Sequence, residues 1–326
     1  GSLRRSEGWR RTLGGAAGRT PRRRRRGSSW ARSMLYPLYQ MGAALANWLP
    51  RKLCYQTARA MADGYSAQAR RDWEAVRANL EVVLGNPRVP PEQVREVFRN
   101  FGMYLVDFFR FGRLTQDSVR RMVRFEGLQN IEEAMRRGKG LIGASAHLGN
   151  YELAGAVLAM LGMPVSGVVL THQNPQVDRF FRSQRARVGV QSIPVQQMAR
   201  KDFLEASLSV LRNRGVLGLV ADRDYFNRGI PLPMFGKVCR LPTGPAWFSL
   251  KTGAPVVPTF LVREPDGNFR MITEKPLQVP VEVDREQAVW RITEEWSQRL
   301  AQVIRRYPTQ WYMFQEFWRT GPAVIR

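Results

Sequence analysis

From about residue 124 to residue 262, short apolar runs alternate with helical stretches, and this alternation limits the possible folds more than any other feature. The apolar runs cover residues 141–144, 165–170, 217–221 and 256–262. Helical patterns lie near residues 128–137, 150–161, 175–188, 198–213 and 243–252. Strands separated by helices at this spacing pack as a sheet with helices layered on it. The sequence therefore predicts an α/β fold.

Longer helical patterns flank this region. Amphipathic helices are predicted over residues 51–84 and 91–111, with the turn-forming residues Gly85, Asn86 and Pro87 between them. Helices are predicted again over residues 285–306 and 310–318. The sequence contains no internal repeat and no second independent core, so residues 51–326 are expected to form one domain.

The supply of metal-binding and imidazole side chains is small. The chain has two cysteines, Cys54 and Cys239, and two histidines, His147 and His172. Two cysteines are too few for a disulfide framework or a zinc site. We therefore expect no metal centre and a reducing compartment, and any chemistry that needs an imidazole must use one of the two histidines.

The formal charge of +24 is concentrated at the start of the chain, where residues 1–33 contain eleven arginines and one glutamate. Such a surplus attracts polyanions, namely nucleic acid, anionic lipid or acidic carrier proteins. The first methionine is Met34, and residues 1–33 are interpreted as a basic, disordered tail that lies upstream of the natural start or extends it.

Residues 34–50 carry no charged side chain and are bounded by Arg32 on one side and by Arg51 and Lys52 on the other. About 20 apolar residues are needed to cross a bilayer. This shorter stretch is predicted to be a membrane-associated helix that dips into the membrane or barely spans it. Because arginines precede it, a cleaved signal peptide is the competing interpretation. The flanking charges favour the cytoplasmic face of the plasma (inner) membrane.

A histidine follows one of the predicted strands directly. The strand ends in small residues, His147 lies at the turn into the next helix, and Glu152 follows five positions later. Ligands of open α/β sheets bind at the carboxyl ends of the strands, and a histidine there can act as a general base on a hydroxyl. Gly149 is expected to permit close approach of a substrate. A hydrogen-bonded structural histidine is the alternative interpretation.

Two later segments carry further candidate residues, and the first of them is expected at the same edge of the sheet. Asp222 and Arg223 follow the strand at residues 217–221, so the acid could support His147 and the guanidinium could bind a phosphate or an oxyanion. A structural ion pair is the alternative. Thr243 is predicted to cap a helix whose first turn contains Gly244, and such a helix N-terminus suits an anion. An ordinary capped helix that leads into a buried strand is the alternative.

Together these segments resemble the lipid A biosynthesis late acyltransferases (lauroyl and myristoyl transferases) and the related phosphatidylinositol mannoside acyltransferases. The resemblance covers about residues 34–320. It rests on a histidine followed by four residues and an acid (HX4E), on an acid after a strand, and on several spaced motifs. These are His147 with Glu152, Asp222, Phe235 with Gly236, residues 242–246 (PTGPA), residues 252–256 (TGAPV) and residues 307–311 (YPTQW).

The resemblance implies an α/β/α layered sheet of the glycerolipid acyltransferase type, with a hydrophobic groove for an acyl chain. It implies an O-acyltransferase that moves a fatty acyl group from acyl-carrier protein or acyl-coenzyme A onto a hydroxyl of a membrane glycolipid, or onto the hydroxyl of an acyl chain already attached to it. In that scheme His147 is the general base, Glu152 orients and polarises it, and Asp222 is a second acid near it. No cofactor and no metal are implied.

The resemblance also implies substrate contacts. Arg182 and Arg185 are expected to contact the substrate phosphate or the carrier, and Asn150, Arg223, Thr243 and Gly244 complete the expected binding residues. Four other functions remain as alternatives: a lysophospholipid acyltransferase, a basic nucleic-acid-binding protein, a lipid hydrolase and a non-catalytic membrane-surface protein. The sequence contains no Gly-x-Ser-x-Gly nucleophile motif and no known nucleic-acid-binding pattern, so the first alternative is the nearest.

Overall fold

A computed structural model describes residues 29–281 and 283–318. The helices in the first half of the chain are α1 (Ser29–Trp48), α2 (Arg51–Gln68), α3 (Arg70–Leu84), α4 (Pro91–Phe109), α5 (Gln116–Met122) and α6 (Leu128–Arg136). Those in the second half are α7 (Tyr151–Met160), α8 (Pro175–Arg187), α9 (Arg200–Arg212), α10 (Gly244–Thr252) and α11 (Arg285–Arg306). Residues 1–28, which include most of the predicted basic tail, lie outside the described residues.

The strands form a seven-stranded sheet and a separate hairpin. They are β1 (Val123–Glu126), β2 (Leu141–Ser145), β3 (Val165–Val169), β4 (Val190–Pro194), β5 (Val216–Val220), β6 (Ile230–Met234), β7 (Lys237–Leu241), β8 (Val256–Arg263) and β9 (Phe269–Thr273). The large sheet has the order β1-β9-β8-β2-β5-β3-β4, and all its neighbours are parallel except β8 and β9. The prediction of an α/β fold is confirmed.

Two apolar clusters cover the two faces of this sheet. On one face, Ile142 and Leu217 pack with residues of α9, α10 and α11, including the fully buried Trp296. On the other face, Leu141 and Val216 pack with residues of α6, α7 and α8. Consecutive strand residues point to opposite faces, so an uninterrupted apolar run such as β2 supplies both cores. The layers are therefore α/β/α.

The N-terminal helices differ in two respects from the prediction. The pattern over residues 51–84 forms two helices, because the chain changes direction at Ala69 so that α2 packs along α4 while α3 also reaches α11. Helix α1 starts at Ser29, five residues before the predicted start. Within residues 29–281 and 283–318, no helix combines the length and the apolar character needed to cross a bilayer.

The helix predicted over residues 310–318 is wrong. A short 3₁₀ turn at Pro308–Gln310 is followed by extended chain, in which Trp311 forms an antiparallel bridge with Leu148. The backbone N–H of Tyr312 donates to the carbonyl of His147 at 2.7 Å. The backbone groups of Trp311 and Tyr312 thus pair with the chain at His147 and Leu148, so they are not available for a helix.

Sequence reasoning missed β1, β4 and β9 and the β6–β7 hairpin. β1, β4, β7 and β9 mix polar with apolar residues, and β6 contains two prolines, so these strands lack the apolar runs from which the central strands were predicted. The hairpin turns at Phe235 and Gly236, where both residues have positive φ (53° and 74°), as the tightest hairpin turns require.

Candidate active site

The turn after β2 is fixed by backbone contacts with two other segments. Gly149 has φ +62°, and a Cβ there would lie 2.0 Å from the carbonyl oxygen of Leu261. Its N–H donates to the carbonyl of Gln310 at 2.8 Å. The glycine is therefore needed for the approach of the Leu261 backbone, and the expectation that it admits a substrate is corrected. This packing holds His147 at the carboxyl end of the central strand.

The carboxylate that holds the His147 ring belongs to Asp222. Nδ1 of His147 lies 2.6 Å from Oδ1 of Asp222, and the His147 backbone N–H donates to Oδ2 at 3.0 Å. The Trp311 indole N–H donates to the same Oδ2 at 3.1 Å. The register explains the meeting, because Ser145 pairs with Val220 in the parallel β2–β5 ladder and each functional residue follows two positions later.

The environment sets the charge state of this pair. Burial lowers the pKa of His147 below its usual 6.5, and the charge of Arg223 lowers it further, while Asp222 acts in the opposite direction. Burial by itself raises the pKa of Asp222, but His147, Arg223 and Trp311 outweigh it and lower that pKa to about 2. At neutral pH the pair is thus a neutral imidazole against a carboxylate.

A neutral imidazole that donates from Nδ1 to a carboxylate carries its lone pair on Nε2. Among the described residues, no hydrogen-bond partner faces Nε2 of His147, whose side chain is 18% exposed. The site therefore presents an unoccupied proton acceptor, with the opposite nitrogen fixed by a fully buried acid.

Glu152 has a different partner from the one expected. Its two carboxylate oxygens accept from Nε and Nη2 of Arg185 at 2.9 and 2.6 Å, and both side chains are nearly buried. No hydrogen bond joins Glu152 to His147 within the part of the chain that the structure describes. The prediction that Glu152 orients the histidine is corrected, since Asp222 makes that contact and Glu152 acts on His147 only through its charge.

Breaking this ion pair should destabilise the fold. In Glu152→Ala the Arg185 guanidinium would stay buried without its carboxylate, so we expect the free energy of unfolding to fall by about 3–5 kcal/mol in urea titrations. The exposed pair Arg212–Glu205 provides a control, because Glu205→Ala should change that free energy by about 0–1 kcal/mol. Equal losses in the two variants would contradict a special role for the buried pair.

Asn150 is a structural residue in this arrangement rather than a substrate contact. It is 1% exposed, its Oδ1 caps α7 by accepting from the Leu153 N–H, and its Nδ2 donates to Asp107 at 3.0 Å. Asp107 also pairs with Arg263, which donates to the Tyr55 hydroxyl at 2.6 Å. This buried polar network joins α2, α4, α7 and β8 beneath the site.

One cavity of about 870 Å³ lies at the carboxyl ends of β2, β3 and β5. It is lined by aromatic and aliphatic side chains and by six of the predicted site residues. These are His147, Glu152, Arg185, Arg223, Thr243 and Gly244. Asp222 lies behind His147, whereas Asn150 and Arg182 do not line the cavity. A large apolar cavity with a few converging polar groups is the usual form of a small-molecule site.

The remaining predicted residues lie as follows. Arg223 donates to the Tyr225 hydroxyl at 3.2 Å and to the Tyr312 carbonyl, while its buried Nε has no partner among the described residues. Arg182 is an exposed residue of α8 that pairs with the buried Asp178. Thr243 precedes α10 as predicted, but its side chain makes no capping hydrogen bond.

Sequence reasoning did not assign a role to Trp311. Its indole reaches Asp222 and its backbone bridges to Leu148, so it touches both the acid and the histidine turn. The residue stood within a recognised C-terminal motif, but nothing in that motif showed that the segment is extended and returns to the sheet edge.

Within residues 29–281 and 283–318, no cluster of three or more metal-ligating side chains occurs.

Comparison with known proteins identifies the family. Residues 25–320 match the family described as bacterial lipid A biosynthesis acyltransferase. The chain belongs to this acyltransferase family. It is 27% identical over 248 residues to the phosphatidylinositol mannoside acyltransferase of Mycolicibacterium smegmatis, a match that covers 75% of this chain and 79% of the relative. The chain is therefore an acyltransferase.

Two further relatives also match most of the chain. The phosphatidylinositol mannoside acyltransferase of Mycobacterium tuberculosis is 29% identical over 250 residues, which cover 75% of this chain and 77% of the relative. The lipid A biosynthesis palmitoleoyltransferase of Escherichia coli is 23% identical over 310 residues, which cover 90% and 96% of the two chains. Both matches extend over most of each protein, so this family member spans most of the length of its relatives.

Proposed function

We propose that this acyltransferase moves a fatty acyl group from a thioester onto a hydroxyl of a membrane glycolipid, with His147 as general base. One observation carries the proposal. His147, held by Asp222, lines a cavity of about 870 Å³ whose walls are largely apolar. Such a cavity suits an acyl chain, and the free Nε2 suits the removal of a proton from an incoming hydroxyl.

The proposed reaction runs in two steps. Nε2 of His147 takes the proton of the acceptor hydroxyl while the hydroxyl oxygen forms a bond to the thioester carbonyl carbon. The C–S bond then breaks, the ester is released, and the leaving sulfur receives the proton from Nε2. Asp222 keeps Nδ1 protonated and stabilises the imidazolium that forms in between. The proposed mechanism is direct transfer, without an acyl-enzyme.

Arg223 is the proposed electrostatic partner of this step. Its guanidinium is close enough to His147 to lower the pKa of that histidine, and its buried Nε has no partner among the described residues. A fixed positive charge beside the carbonyl would stabilise the oxyanion of the tetrahedral intermediate. The same charge keeps His147 neutral, which is the form that a general base requires.

The donor is proposed to be acyl-carrier protein or acyl-coenzyme A. Both are acidic and carry their thioester on a phosphorylated arm, and the cavity lining includes the cationic residues Arg200, Arg223 and Arg228. Purified protein given the same acyl chain on each carrier would separate the two. Transfer from neither carrier to a glycolipid acceptor would overturn the proposed donor class.

The acceptor is proposed to be a glycolipid because the relatives are named for phosphatidylinositol mannoside and for lipid A. Lipid mass spectrometry of cells with active protein, with no protein and with His147→Ala would test this. We expect one glycolipid to gain a single acyl chain with active protein only. If a phospholipid gains the chain instead, the lysophospholipid acyltransferase alternative is favoured, and unchanged lipids together with inactive purified protein would overturn the proposal.

The protein is further proposed to act at the cytoplasmic face of the inner membrane through α1. Leu38, Met41, Leu45 and Trp48 are exposed apolar side chains on this helix, and Trp48 is 80% exposed. The exposed Lys52 follows at the start of α2. An apolar helix face flanked by a cationic residue suits the interface of a membrane that contains anionic lipid.

Removing apolar side chains from this face should weaken membrane binding. We expect Leu45→Glu to lower the partition of the protein into anionic phospholipid vesicles about tenfold or more in flotation assays, since burying a leucine contributes about 1.5–3 kcal/mol. Val281→Glu is the matched control, because Val281 is 81% exposed but lies between β9 and α11. Equal partition of the two variants would argue against α1 as the binding surface.

A further inference from the structure

Three glycines lie side by side across the centre of the sheet. In the ladders of β2, β5 and β3, Gly218 pairs with Gly143 on one side and with Gly167 on the other. Residues that pair directly in neighbouring strands point to the same face of a sheet. All three glycines line the cavity that contains His147.

Side chains flank this row on both sides and make it a trough. The preceding row is formed by Leu141, Val216 and Val165, which are buried. The following positions are Ser145, Val220 and Val169, which also line the cavity. With strands about 4.8 Å apart, the trough formed by Gly143, Gly167 and Gly218 is about 10 Å long and runs across the strands. We refer to it as the glycine trough.

The fold itself does not require glycine at these positions. None of the three has the positive φ that favours glycine. A Cβ at Gly167 would meet no atom within 4 Å, and at Gly218 and Gly143 the nearest atoms would lie at 3.7 and 3.8 Å, in ordinary contact. Glycine weakens a strand interior and often marks a place where a ligand approaches the backbone closely. The missing side chains thus leave space that the cavity uses.

The trough lies farther inside the sheet than the reactive pair, because Gly143 and Gly218 lie within β2 and β5 whereas His147 and Asp222 follow the ends of these strands. Gly143 precedes His147 by four residues, a distance of at most about 13 Å in extended chain. Helix α7 also contributes a glycine to the cavity wall, Gly155, where a Cβ would contact Val190 and Val165 at 3.8 and 3.9 Å. Ser145, between the trough and the histidine, has a buried hydroxyl without a partner in the described residues. Along the strands, the cavity lining therefore changes from the apolar Val165 and Val216 beside the trough to the polar Ser145 and His147 on its other side.

We propose that the glycine trough holds the distal carbons of the donor's acyl chain and sets the longest chain that the enzyme accepts. This inference rests on the proposed acyl transfer and adds the residues that decide chain length. A side chain at Gly167 or Gly218 would occupy the space of the last methylene groups. Longer chains would then lose their burial, while shorter chains that end before the trough would bind as before.

The test compares Gly167→Ala and Gly167→Val with the wild-type enzyme, using saturated acyl-coenzyme A and acyl-carrier protein donors from ten to eighteen carbons in competition. Each methylene excluded from the trough should lower transfer about fourfold. We expect Gly167→Val to lower the transfer of the longest accepted chain, relative to the shortest, roughly 15- to 60-fold, and Gly167→Ala about fourfold. Gly218→Ala should act like Gly167→Ala.

Gly64→Ala is the control, because a Cβ at Gly64 also meets no atom within 4 Å but the residue lies on α2, outside the cavity lining. An unchanged chain-length ratio in folded Gly167→Val, Gly167→Ala and Gly218→Ala would overturn the inference. Calorimetric measurement of the binding of free fatty acids of the same lengths reports on the trough independently of catalysis. If no donor supports transfer but the variants still change how fatty-acid binding depends on chain length, the proposed acyl transfer is overturned, whereas the role of the trough in limiting chain length stands.

Discussion

Replacing His147 by alanine is expected to lower turnover by about 10²–10⁴-fold, because general-base assistance typically contributes that much. The structure gives the reason for a loss of this size. Nε2 is the ring nitrogen without a partner, and Nδ1 is held by Asp222 at 2.6 Å. Without the imidazole, the acceptor hydroxyl would have to attack while it still carries its proton. Initial rates of product formation at saturating donor measure the effect.

Folding should survive this substitution. Asp222 would keep two of its hydrogen bonds, one from the backbone N–H of residue 147 and one from the Trp311 indole. The circular dichroism spectrum and the thermal midpoint should therefore stay close to wild type. His172→Ala is the matched control, since His172 also lines the cavity but its ring contacts Phe181 and has no hydrogen bond to a carboxylate among the described residues. We expect that variant to retain activity within about tenfold of wild type. A comparable loss of activity in both variants would argue that His147 is not the only base.

The lowered pKa of His147 also predicts the pH profile. The base acts in its neutral form, so activity should rise with pH through the pKa of His147 and then level off. Because burial and Arg223 lower that pKa below 6.5, the half-maximal point of kcat/KM should lie on the acid side of 6.5, with a plateau at neutral pH.

Asp222→Asn should reduce turnover by about 10²–10⁴-fold as well, although the side chain touches no substrate. The carboxylate accepts from both the backbone N–H and Nδ1 of His147. An amide in its place offers one acceptor and one donor group, so it cannot accept from both partners. The ring would then favour the tautomer with its proton on Nε2, which is the nitrogen that has to accept one.

A pH profile separates this positioning role from a purely structural one. Asp222 raises the pKa of His147 against the effects of burial and Arg223, so its loss should move the acid limb of the profile to lower pH while the plateau falls. Asp224→Asn is the control, because Asp224 accepts from the backbone N–H groups of Arg228 and Gly229 and does not contact His147. A profile that keeps its midpoint in Asp222→Asn would show that the acid does not set the state of the histidine.

Much of the fold follows from local sequence pattern. The central strands β2, β3, β5 and β8 consist mostly of apolar residues, because helices cover both faces of the sheet. The helices between them lie where helical stretches are predicted, and α11 has the predicted bounds. The strands that the pattern misses include β1 and β4 at the two ends of the sheet, where polar residues interrupt the apolar sequence.

The sequence by itself determined the α/β class, the position of His147 at a strand end, and the membership of an acyltransferase family. Those properties depend on residues that are close together in the chain or on spaced motifs. The sequence also named Asp222, Glu152 and Arg185 as site residues, but it did not determine which of them meet. Pairing between them depends on which strands are neighbours and in what register.

Only the tertiary structure decided that Asp222 holds the histidine. The parallel register of β2 and β5 brings residues 147 and 222 to equivalent positions beyond the sheet edge, although 75 residues separate them. In the same way, α8 brings Arg185 to Glu152, and the extended C-terminal segment brings Trp311 to Asp222. The glycine trough has the same origin, since three glycines far apart in sequence form one surface only when their strands align.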